Sequence, residues 1–274
     1  RLSELLADNG FFEVVNNSLT NPEPTSGLGD VMEGEAVRIA NPLSEELSVL
    51  RQTLLFSGLE TIAYNINRKQ KDLKIFEFGK VYAKTASGYG EKQRLGIWMT
   101  GLKQSETWQS KNTKTDFWDI RAVADKLLTR AGIVLSEQEV FSDAVFQSGI
   151  KIKNSNKVIL VCGKIRKEIL KKAEVGQDVF YAEADADFLF RRAVRDVRYR
   201  EISKFPEVRR DLSLVVSKKV SFADIQKLAF ETDRKILREV NVFDVYEGEN
   251  IGEDKKSYSI SFMLQHDERT LTDR

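Results

Sequence analysis

Hydrophobic residues follow two different periods along the chain, which indicates a mixture of helices and strands. Steps of three and four residues over residues 43–66 predict one amphipathic helix of about six turns, bent at Gly58. Shorter helices are predicted before Gly10 and at residues 120–131 and 166–172. Strand-like runs are predicted at residues 11–15, 73–82, 94–101, 149–153 and 158–165. Because strands and helices alternate without a regular repeat, residues 1–195 are predicted to form an α+β domain with a mainly antiparallel sheet.

A second, smaller domain is predicted over residues 196–274. Residues 211–216 alternate as a strand does, and Ser221 followed by Asp224 has the form of a capping box that opens a helix. Two more strands are predicted at residues 239–246 and 257–264. The order β-α-β-β is three-quarters of a ferredoxin-like unit, which would continue with a second helix and a fourth strand. We therefore expect this domain to be C-terminally incomplete and the chain to be a fragment of a longer protein.

A basic stretch joins the two predicted domains. Residues 191–210 contain eight Lys and Arg residues against three acidic ones. Such a stretch is typical of a solvated linker whose charges keep it hydrated. It is also the composition of a seam that contacts RNA phosphates, and both interpretations stay open.

Composition excludes several classes of function. The 43 basic and 42 acidic residues leave a net charge of +1, so nucleic acid would have to be bound by a local patch. The one histidine, His266, and the one cysteine, Cys162, lie far apart in the sequence, which argues against a zinc site or a Cys/His nucleophile. Cys162 lies in an apolar run, which favours a buried strand thiol over a reactive one. No apolar run is long enough to cross a membrane, and a lone cysteine fits a cytoplasmic protein.

Strand alternation predicts one chemically distinctive surface in the second domain. Asp244 and Tyr246 are two residues apart and share one strand face, whereas Phe243 and Val245 are predicted on the opposite, core face. Ser257 on the next strand is predicted beside the first pair. An aromatic ring, a carboxylate and a hydroxyl together suit an unstacked RNA base, by stacking and by accepting from a guanine edge. The alternative is half-buried packing of the tyrosine and turn chemistry of the aspartate.

Four ordered segments resemble the ferredoxin-fold anticodon-binding domain of phenylalanyl-tRNA synthetases. They are Phe205-Pro-Glu-Val-Arg-Arg-Asp-Leu-Ser-Leu-Val-Val216, Val242-Phe-Asp-Val-Tyr-Glu-Gly248, Lys255-Lys-Ser257 and Arg269-Thr-Leu-Thr272. Upstream segments are similar to the preceding domain of the bacterial β subunit, which has a class II synthetase fold without catalytic activity. They are Gly10-Phe-Phe-Glu-Val14, Asn41-Pro-Leu-Ser44, Leu50-Arg-Gln-Thr-Leu-Leu55, Phe76-Glu-Phe-Gly79 and Asp116-Phe-Trp-Asp119. The resemblance covers essentially the whole chain.

The resemblance implies that this chain has no catalytic residues of its own. Active class II synthetases use an Arg-x-Glu motif and a later glycine-rich motif that ends in arginine, and these cations neutralise the ATP phosphate. Here Glu77 is kept, but Ile75 stands at the arginine position, and the second motif is absent. A self-sufficient single-chain synthetase, which is the main alternative, would need both motifs. A third possibility is an RNA-binding or scaffold module unrelated to a ligase.

The resemblance also implies partners and site residues. The complete ligase would attach phenylalanine to its tRNA with ATP and magnesium, with this chain bound to a catalytic α subunit in an (αβ)2 heterotetramer and with no DNA or membrane partner. The editing domain and the magnesium site would lie outside this chain, which would itself hold no cofactor or metal. Residues 47–66 would contact either the α subunit or their own domain's sheet. First-anticodon-base contacts are implied for Asp244, Tyr246 and Ser257, and Arg209 and Arg210 are expected to bind phosphate or brace the domain.

Overall fold

The computed structural model describes residues 2–29, 32, 34–104, 107–108, 112–133, 137–192, 199, 201–248 and 251–272. The chain divides into two units, Arg1–Asp196 and Val197–Arg274. Strands in the first unit are β1 (Phe12–Glu13), β2 (Leu19–Thr20), β3 (Val37–Arg38), β4 (Val49–Leu50), β5 (Leu73–Thr85), β6 (Gly88–Thr100), β7 (Glu137–Phe141), β8 (Phe146–Asn154), β9 (Lys157–Ile165) and β10 (Val179–Asp185). Helices there are α1 (Leu2–Asp8), α2 (Leu55–Asn67), α3 (Phe117–Arg130), α4 (Lys167–Lys172) and α5 (Ala186–Arg192).

One large sheet organises the first unit. Its strand order is β1-β5-β6-β10-β9-β8-β7, with β1 parallel to β5 and the other neighbours antiparallel. Alternate side chains of each strand enter two separate apolar cores: Phe76 packs with α1, α3 and α5, whereas Ile75 packs with α2 and α4. The predicted α+β layer with a mainly antiparallel sheet is confirmed.

Helix α3 forms where local signals are strong. The Asp116 carboxylate accepts hydrogen bonds from the backbone N–H groups of Trp118 (2.8 Å) and Asp119 (3.3 Å), and the Asp119 carboxylate accepts from the Asp116 N–H (2.8 Å). This reciprocal capping satisfies donors that a helix start leaves free. The predicted helix at residues 120–131 is confirmed and begins three residues earlier, at Phe117.

The predicted helix over residues 43–66 is wrong in its first half. The structure has a 3-10 turn at Glu45–Leu47 and strand β4 there, and the helix begins only at Leu55. The Arg51 N–H donates to the Ser18 carbonyl and the Arg51 carbonyl accepts from the Tyr82 N–H, both at 2.9 Å. These partners are distant in the sequence, so the apolar periodicity gives no sign that the backbone is held by neighbouring segments.

A carboxylate from another strand marks the start of α2. Glu183 of β10 accepts hydrogen bonds from the Thr53 hydroxyl (2.7 Å) and the Leu54 N–H (3.2 Å) at the helix entry. Gly58, where a bend was predicted, lies inside α2 against the Trp98 ring. A Cβ at Gly58 would overlap this ring and lie 2.7 Å from its Nε1 atom, so the glycine is required by close packing.

Two strands of the large sheet are absent from the sequence-based assignment. Strand β10, rich in alanine and acidic residues, lies between β6 and β9 at the centre of the sheet and is almost wholly buried. Strand β7 lies at one edge and is mostly exposed. Neither sequence alternates clearly between apolar and polar residues, so period alone does not reveal them.

In its described residues, the second unit has a three-stranded sheet and one α-helix. Its elements are β11 (Val208–Ser217), α6 (Phe222–Thr232), β12 (Leu237–Tyr246) and β13 (Lys255–Leu264), and its strand order is β11-β13-β12, all antiparallel. The predicted β-α-β-β order is confirmed, including the Ser221–Asp224 capping box. Much of the basic seam, residues 193–198 and 200, lies outside the described residues.

Cys162 is fully buried in β9, and burial raises the pKa of its thiol to about 11, which confirms a buried strand thiol. Among the described residues, no helix is both long and apolar enough to span a bilayer.

Candidate nucleic-acid interface

The sheet of the second unit has one covered face and one open face. Phe222, Ile225 and Ala229 of α6 pack against the covered face, where Tyr258 and Ile260 of β13 are buried. The opposite side, here called the open face, carries the alternate residues of each strand. All three predicted base contacts lie on this face.

The strand register brings Asp244, Tyr246 and Ser257 together on the open face. Tyr246 lies directly opposite Ser257, and Asp244 lies opposite Ser259, one step further along β13. Directly opposed residues of antiparallel strands project to the same face, with Cβ atoms about 4.5–5.5 Å apart. Asp244 is exposed, and Tyr246 is 45% exposed. An aromatic ring, a carboxylate and hydroxyl groups are therefore presented side by side.

A bulge in β12 changes the predicted position of Phe243. Val242 pairs with Ile260 and Asp244 pairs with Ser259, so β12 contains one extra residue, Phe243, that has no partner on β13. Such a bulge interrupts the strict alternation of side chains. Val245 keeps its predicted side, because it pairs with the core residue Tyr258.

The Phe243 ring belongs to the open face. The guanidinium carbon of Arg209 lies 5.3 Å from the ring centroid. Arg209 shares its strand face with Ser213, whose hydroxyl oxygen is 3.4 Å from that of Ser259 on the open face. The prediction that Phe243 points into the core with Val245 is therefore wrong, because the bulge turns it to the side of Asp244.

The Tyr246 ring lies over the turn that follows β12. A Cβ added to Gly248 would overlap the Tyr246 hydroxyl and lie 2.5 Å from the ring carbon Cζ. Glycine at position 248 therefore lets the ring lie against the backbone while leaving almost half of it exposed. The hydroxyl end of the ring is thus packed against the turn.

The two predicted phosphate-binding arginines project to different faces. Arg209 lies on the open face and forms an ion pair with Asp211, with Nε 2.8 Å from Oδ1. The hydrogen bond and the charge attraction from Asp211 raise the pKa of Arg209 above its ordinary value. Arg210 is opposed to Phe262 and so projects to the helix side. Of these two arginines, only Arg209 shares a face with Asp244, Tyr246 and Ser257.

Lys255 is a cation of the open face to which the sequence analysis assigned no role. It lies two residues before Ser257 on β13, is exposed, and projects to the open face. Within the described part of the chain it forms no ion pair. It lies in the Lys255-Lys-Ser257 motif, so the signal for it was present in the sequence, although only the serine received a role.

In the first unit, Glu77 is held by other protein groups. Its Oε1 atom accepts from Arg51 Nη1 (2.7 Å) and the Asn16 N–H (3.3 Å), and its Oε2 atom accepts from Asn16 Nδ2 (2.7 Å). Arg51 Nε also donates to the Lys80 carbonyl (3.0 Å), and Arg51 and Glu77 are 4% and 1% exposed. Ile75 is buried beneath α2. These side chains form a buried structural network that presents no free cation to a phosphate.

No metal centre is evident in the described residues, where no group of three or more His, Cys, Asp or Glu side chains is placed to hold an ion.

Comparison with known proteins gives consistent matches along the chain. Residues 1–186 match the family model of the phenylalanyl tRNA synthetase beta chain CLM domain, and residues 203–274 match that of the ferredoxin-fold anticodon binding domain. The phenylalanine–tRNA ligase beta subunit of Bacteroides fragilis is 40% identical over 287 residues, which cover 100% of this chain and 35% of that protein. The beta subunit of Thermotoga maritima is 29% identical over 273 residues, which cover 99% and 34%.

The chain thus spans about a third of the length of the curated relatives it matches. Among solved structures, the pyrrolysyl-tRNA synthetase of Desulfitobacterium hafniense aligns with 69% of this chain and 67% of its own, at a TM-score of 0.49 and 19% identity.

Proposed function

Because the chain belongs to the phenylalanyl-tRNA synthetase β-chain family, we propose that it binds the tRNA anticodon for a phenylalanine–tRNA ligase. The complete enzyme would attach phenylalanine to its tRNA in the cytoplasm, using ATP and magnesium. Residues 196–274 would bind the anticodon. Residues 1–195 would associate with a catalytic α subunit, in an (αβ)2 assembly, and would not carry out the chemistry.

The observation that carries this proposal is the juxtaposition of Asp244, Tyr246 and Ser257 on the open face. The exposed side of the Tyr246 ring would stack on an unpaired base. The Asp244 carboxylate would accept hydrogen bonds from the N1–H and N2–H2 groups of a guanine, and the Ser257 hydroxyl would fix its position. A guanine at the first anticodon position satisfies all three contacts.

Charge is distributed in the way such a site requires. An acidic group beside the base would repel phosphate, so the cations should lie at the rim. Lys255 meets this condition, since it projects to the open face next to Ser257. Arg209 is already paired with Asp211, and Arg210 projects to the other side, so Lys255 is the better placed cation for a phosphate beside this site.

A non-catalytic role for the first unit is supported by the burial of Ile75 and Glu77. An adenylate-forming site needs an accessible cation for the α-phosphate, whereas Arg51 beside Glu77 is buried and engaged. The apolar stripe of α2, including Leu55, Leu59 and Ile62, packs on the unit's own sheet. The α subunit would therefore contact other surfaces of this unit.

Binding of the anticodon stem-loop of phenylalanine tRNA tests the proposal. Stacking of one base on an aromatic contributes ~1–3 kcal/mol, so Tyr246→Ala should weaken binding about 5- to 150-fold. Tyr89→Ala is a matched control, because Tyr89 is an exposed tyrosine of the first unit, 77% accessible, and should leave affinity unchanged. Asp244→Asn should reduce the preference for guanine over inosine, which lacks the 2-amino group. Equal affinities of the Tyr246 and Tyr89 variants would refute the assignment.

A further inference from the structure

We propose that Phe243, with Arg209 in cation–π contact with its ring, forms a second base-binding subsite next to Tyr246. Its ligand would be the unpaired nucleotide that follows or precedes the one bound by Tyr246. This inference rests on the proposed anticodon binding and extends it to a residue that strand alternation alone would place in the core.

The bulge in β12 is the first observation that supports the subsite. A strand of this length would keep regular alternation unless one residue were inserted, and regular alternation would place Phe243 on the helix side with Val245. The extra residue between the Val242–Ile260 and Asp244–Ser259 pairs turns it outwards instead. The Phe243 side chain is 51% exposed and contributes nothing to the buried core of the unit.

The position of Arg209 is the second observation that supports the subsite. Its guanidinium group lies 5.3 Å from the Phe243 centroid, within the range of a cation–π contact. Arg209 also forms an ion pair with Asp211, with Nε 2.8 Å from Oδ1. Because Arg209 is already neutralised by Asp211, it serves better to brace the ring and to offer a flat stacking surface than to attract phosphate.

The spacing of the two residues along the strand fits consecutive nucleotides. Tyr246 is opposite Ser257, and Phe243 adjoins the position opposite Ser259, so the two backbone positions are about two residues, or ~7 Å, apart along the strands. This is about twice the 3.4 Å rise of stacked bases. Two neighbouring nucleotides that are splayed out of a loop would reach both rings, whereas a continuously stacked helix would not.

The surroundings of Phe243 predict affinity with little base selectivity. Every base has a π-face, so a ring and a guanidinium accept any of the four. The nearby hydroxyl groups of Ser213 and Ser259 can act as donors or acceptors and therefore do not select one base edge. Tyr246 with Asp244 would read the first base, and Phe243 with Arg209 would hold its neighbour.

The test combines protein variants with modified RNA. The 274-residue chain is titrated with a fluorescent stem-loop that carries the phenylalanine anticodon. Phe243→Ala should weaken binding about 5- to 150-fold. Val245→Ala is the matched control, since Val245 is an adjacent strand residue of similar exposure, 49%, on the opposite face; it should bind as the unmodified chain does.

An abasic nucleotide identifies the base that uses the subsite. If the second anticodon base stacks on Phe243, removing it should weaken binding to the unmodified chain but have no further effect on Phe243→Ala. If the loss of affinity caused by the abasic nucleotide simply adds to the loss caused by Phe243→Ala, at both positions next to the first base, the proposal is overturned. Phe243→Tyr and Phe243→Leu provide a second comparison that does not depend on the alanine variant folding: the tyrosine should keep affinity and the leucine should lose it.

The results separate this inference from the proposed function. If Tyr246→Ala weakens binding and Phe243→Ala, Phe243→Leu and Val245→Ala do not, anticodon binding stands and the second subsite is refuted. If neither Tyr246→Ala nor Phe243→Ala weakens binding, both fail.

Discussion

The buried ion pair between Arg51 and Glu77 provides a quantitative test of how the first unit is held together. Arg51→Met removes the cation and keeps most of the side-chain volume. Glu77 then stays in a site that is 1% exposed, where an uncompensated carboxylate is strongly unfavourable. Breaking one partner of a buried pair lowers the free energy of unfolding by about 3–5 kcal/mol.

The contacts around Glu77 place the expected loss within that range. Asn16 still donates to both carboxylate oxygens, from its backbone N–H and its side-chain amide, so Glu77 keeps part of its compensation. The Lys80 carbonyl loses the Arg51 Nε–H, which adds about 1–3 kcal/mol if no water replaces it. Gly79 lies so close to Arg51 Nη2 that a Cβ there would overlap it, so the surrounding chain is tightly packed. We expect a loss of about 3–4 kcal/mol.

A double-mutant cycle distinguishes burial of a charge from loss of packing. In Arg51→Met with Glu77→Leu neither charge is left, and replacing a whole buried pair by apolar groups is often close to neutral. The unsatisfied Lys80 carbonyl and Asn16 amide keep the double variant below the unmodified chain. It should nevertheless be more stable than Arg51→Met alone by at least about 1 kcal/mol.

Urea unfolding followed by tryptophan fluorescence is a suitable assay, because all three tryptophans, Trp98, Trp108 and Trp118, lie in the first unit. The signal therefore reports on that unit. Lys80→Met removes a surface pair with Glu91, whose side chains are 49% and 55% exposed, and should change the midpoint little. Two results would refute this account: a loss of unfolding free energy below about 1 kcal/mol for Arg51→Met, or a loss in the double variant equal to the sum of the losses for Arg51→Met and Glu77→Leu alone.

Three further predictions concern packing at Gly58 and burial of Cys162. Gly58→Ala, a change that usually stabilises a helix interior by up to about 1 kcal/mol, should instead destabilise by about 1–3 kcal/mol because the new Cβ overlaps the Trp98 ring; Gly176→Ala, with nothing within 4 Å of its Cβ position, is the control in urea unfolding. The Cys162 thiol should not react with a thiol reagent at pH 8 unless the unit unfolds, and rapid labelling of the native chain would contradict its burial. Burial raises the pKa of the folded Cys162 thiol to about 11 from an ordinary value of 9.0. The stability that the neutral buried thiol contributes is therefore fully present below pH 9 and is lost as the pH rises towards 11. Cys162→Ala should flatten the fall in unfolding free energy over that interval.

Elements with local signals were predicted well from the sequence. Helix α6 was located from its Ser221–Asp224 capping box and the apolar stripe that follows it. Helix α3 was located from its apolar stripe, but its Asp116–Asp119 capping box was not recognised in the sequence, so its predicted start was three residues late. The family resemblance carried by the motifs is likewise confirmed by matches over residues 1–186 and 203–274.

Residues 47–54 and strand β10 depend on distant partners, and their structure was not predicted. Residues 47–54 have the apolar period of a helix, but the backbone of Arg51 is bonded to Ser18 and Tyr82, and Glu183 marks where the helix begins. Strand β10 is central because β6 and β9 enclose it, although its own sequence has no clear alternation. In both cases hydrogen bonds between remote segments outweigh the local preference.

The candidate site shows the same division between sequence and tertiary structure. The sequence determined that Asp244 and Tyr246 share one face, because they are two residues apart on one strand. The anticodon-domain motifs pointed to Ser257 as their neighbour, and the register of β12 and β13 places it opposite Tyr246. Only the tertiary structure decided that Phe243 joins them, since a bulge exists only relative to the strand opposite it. It also decided that Arg209 is braced against that ring while Arg210 projects away. Strand period is a property of the chain, whereas register is a property of the pair of strands, and the second subsite depends on register.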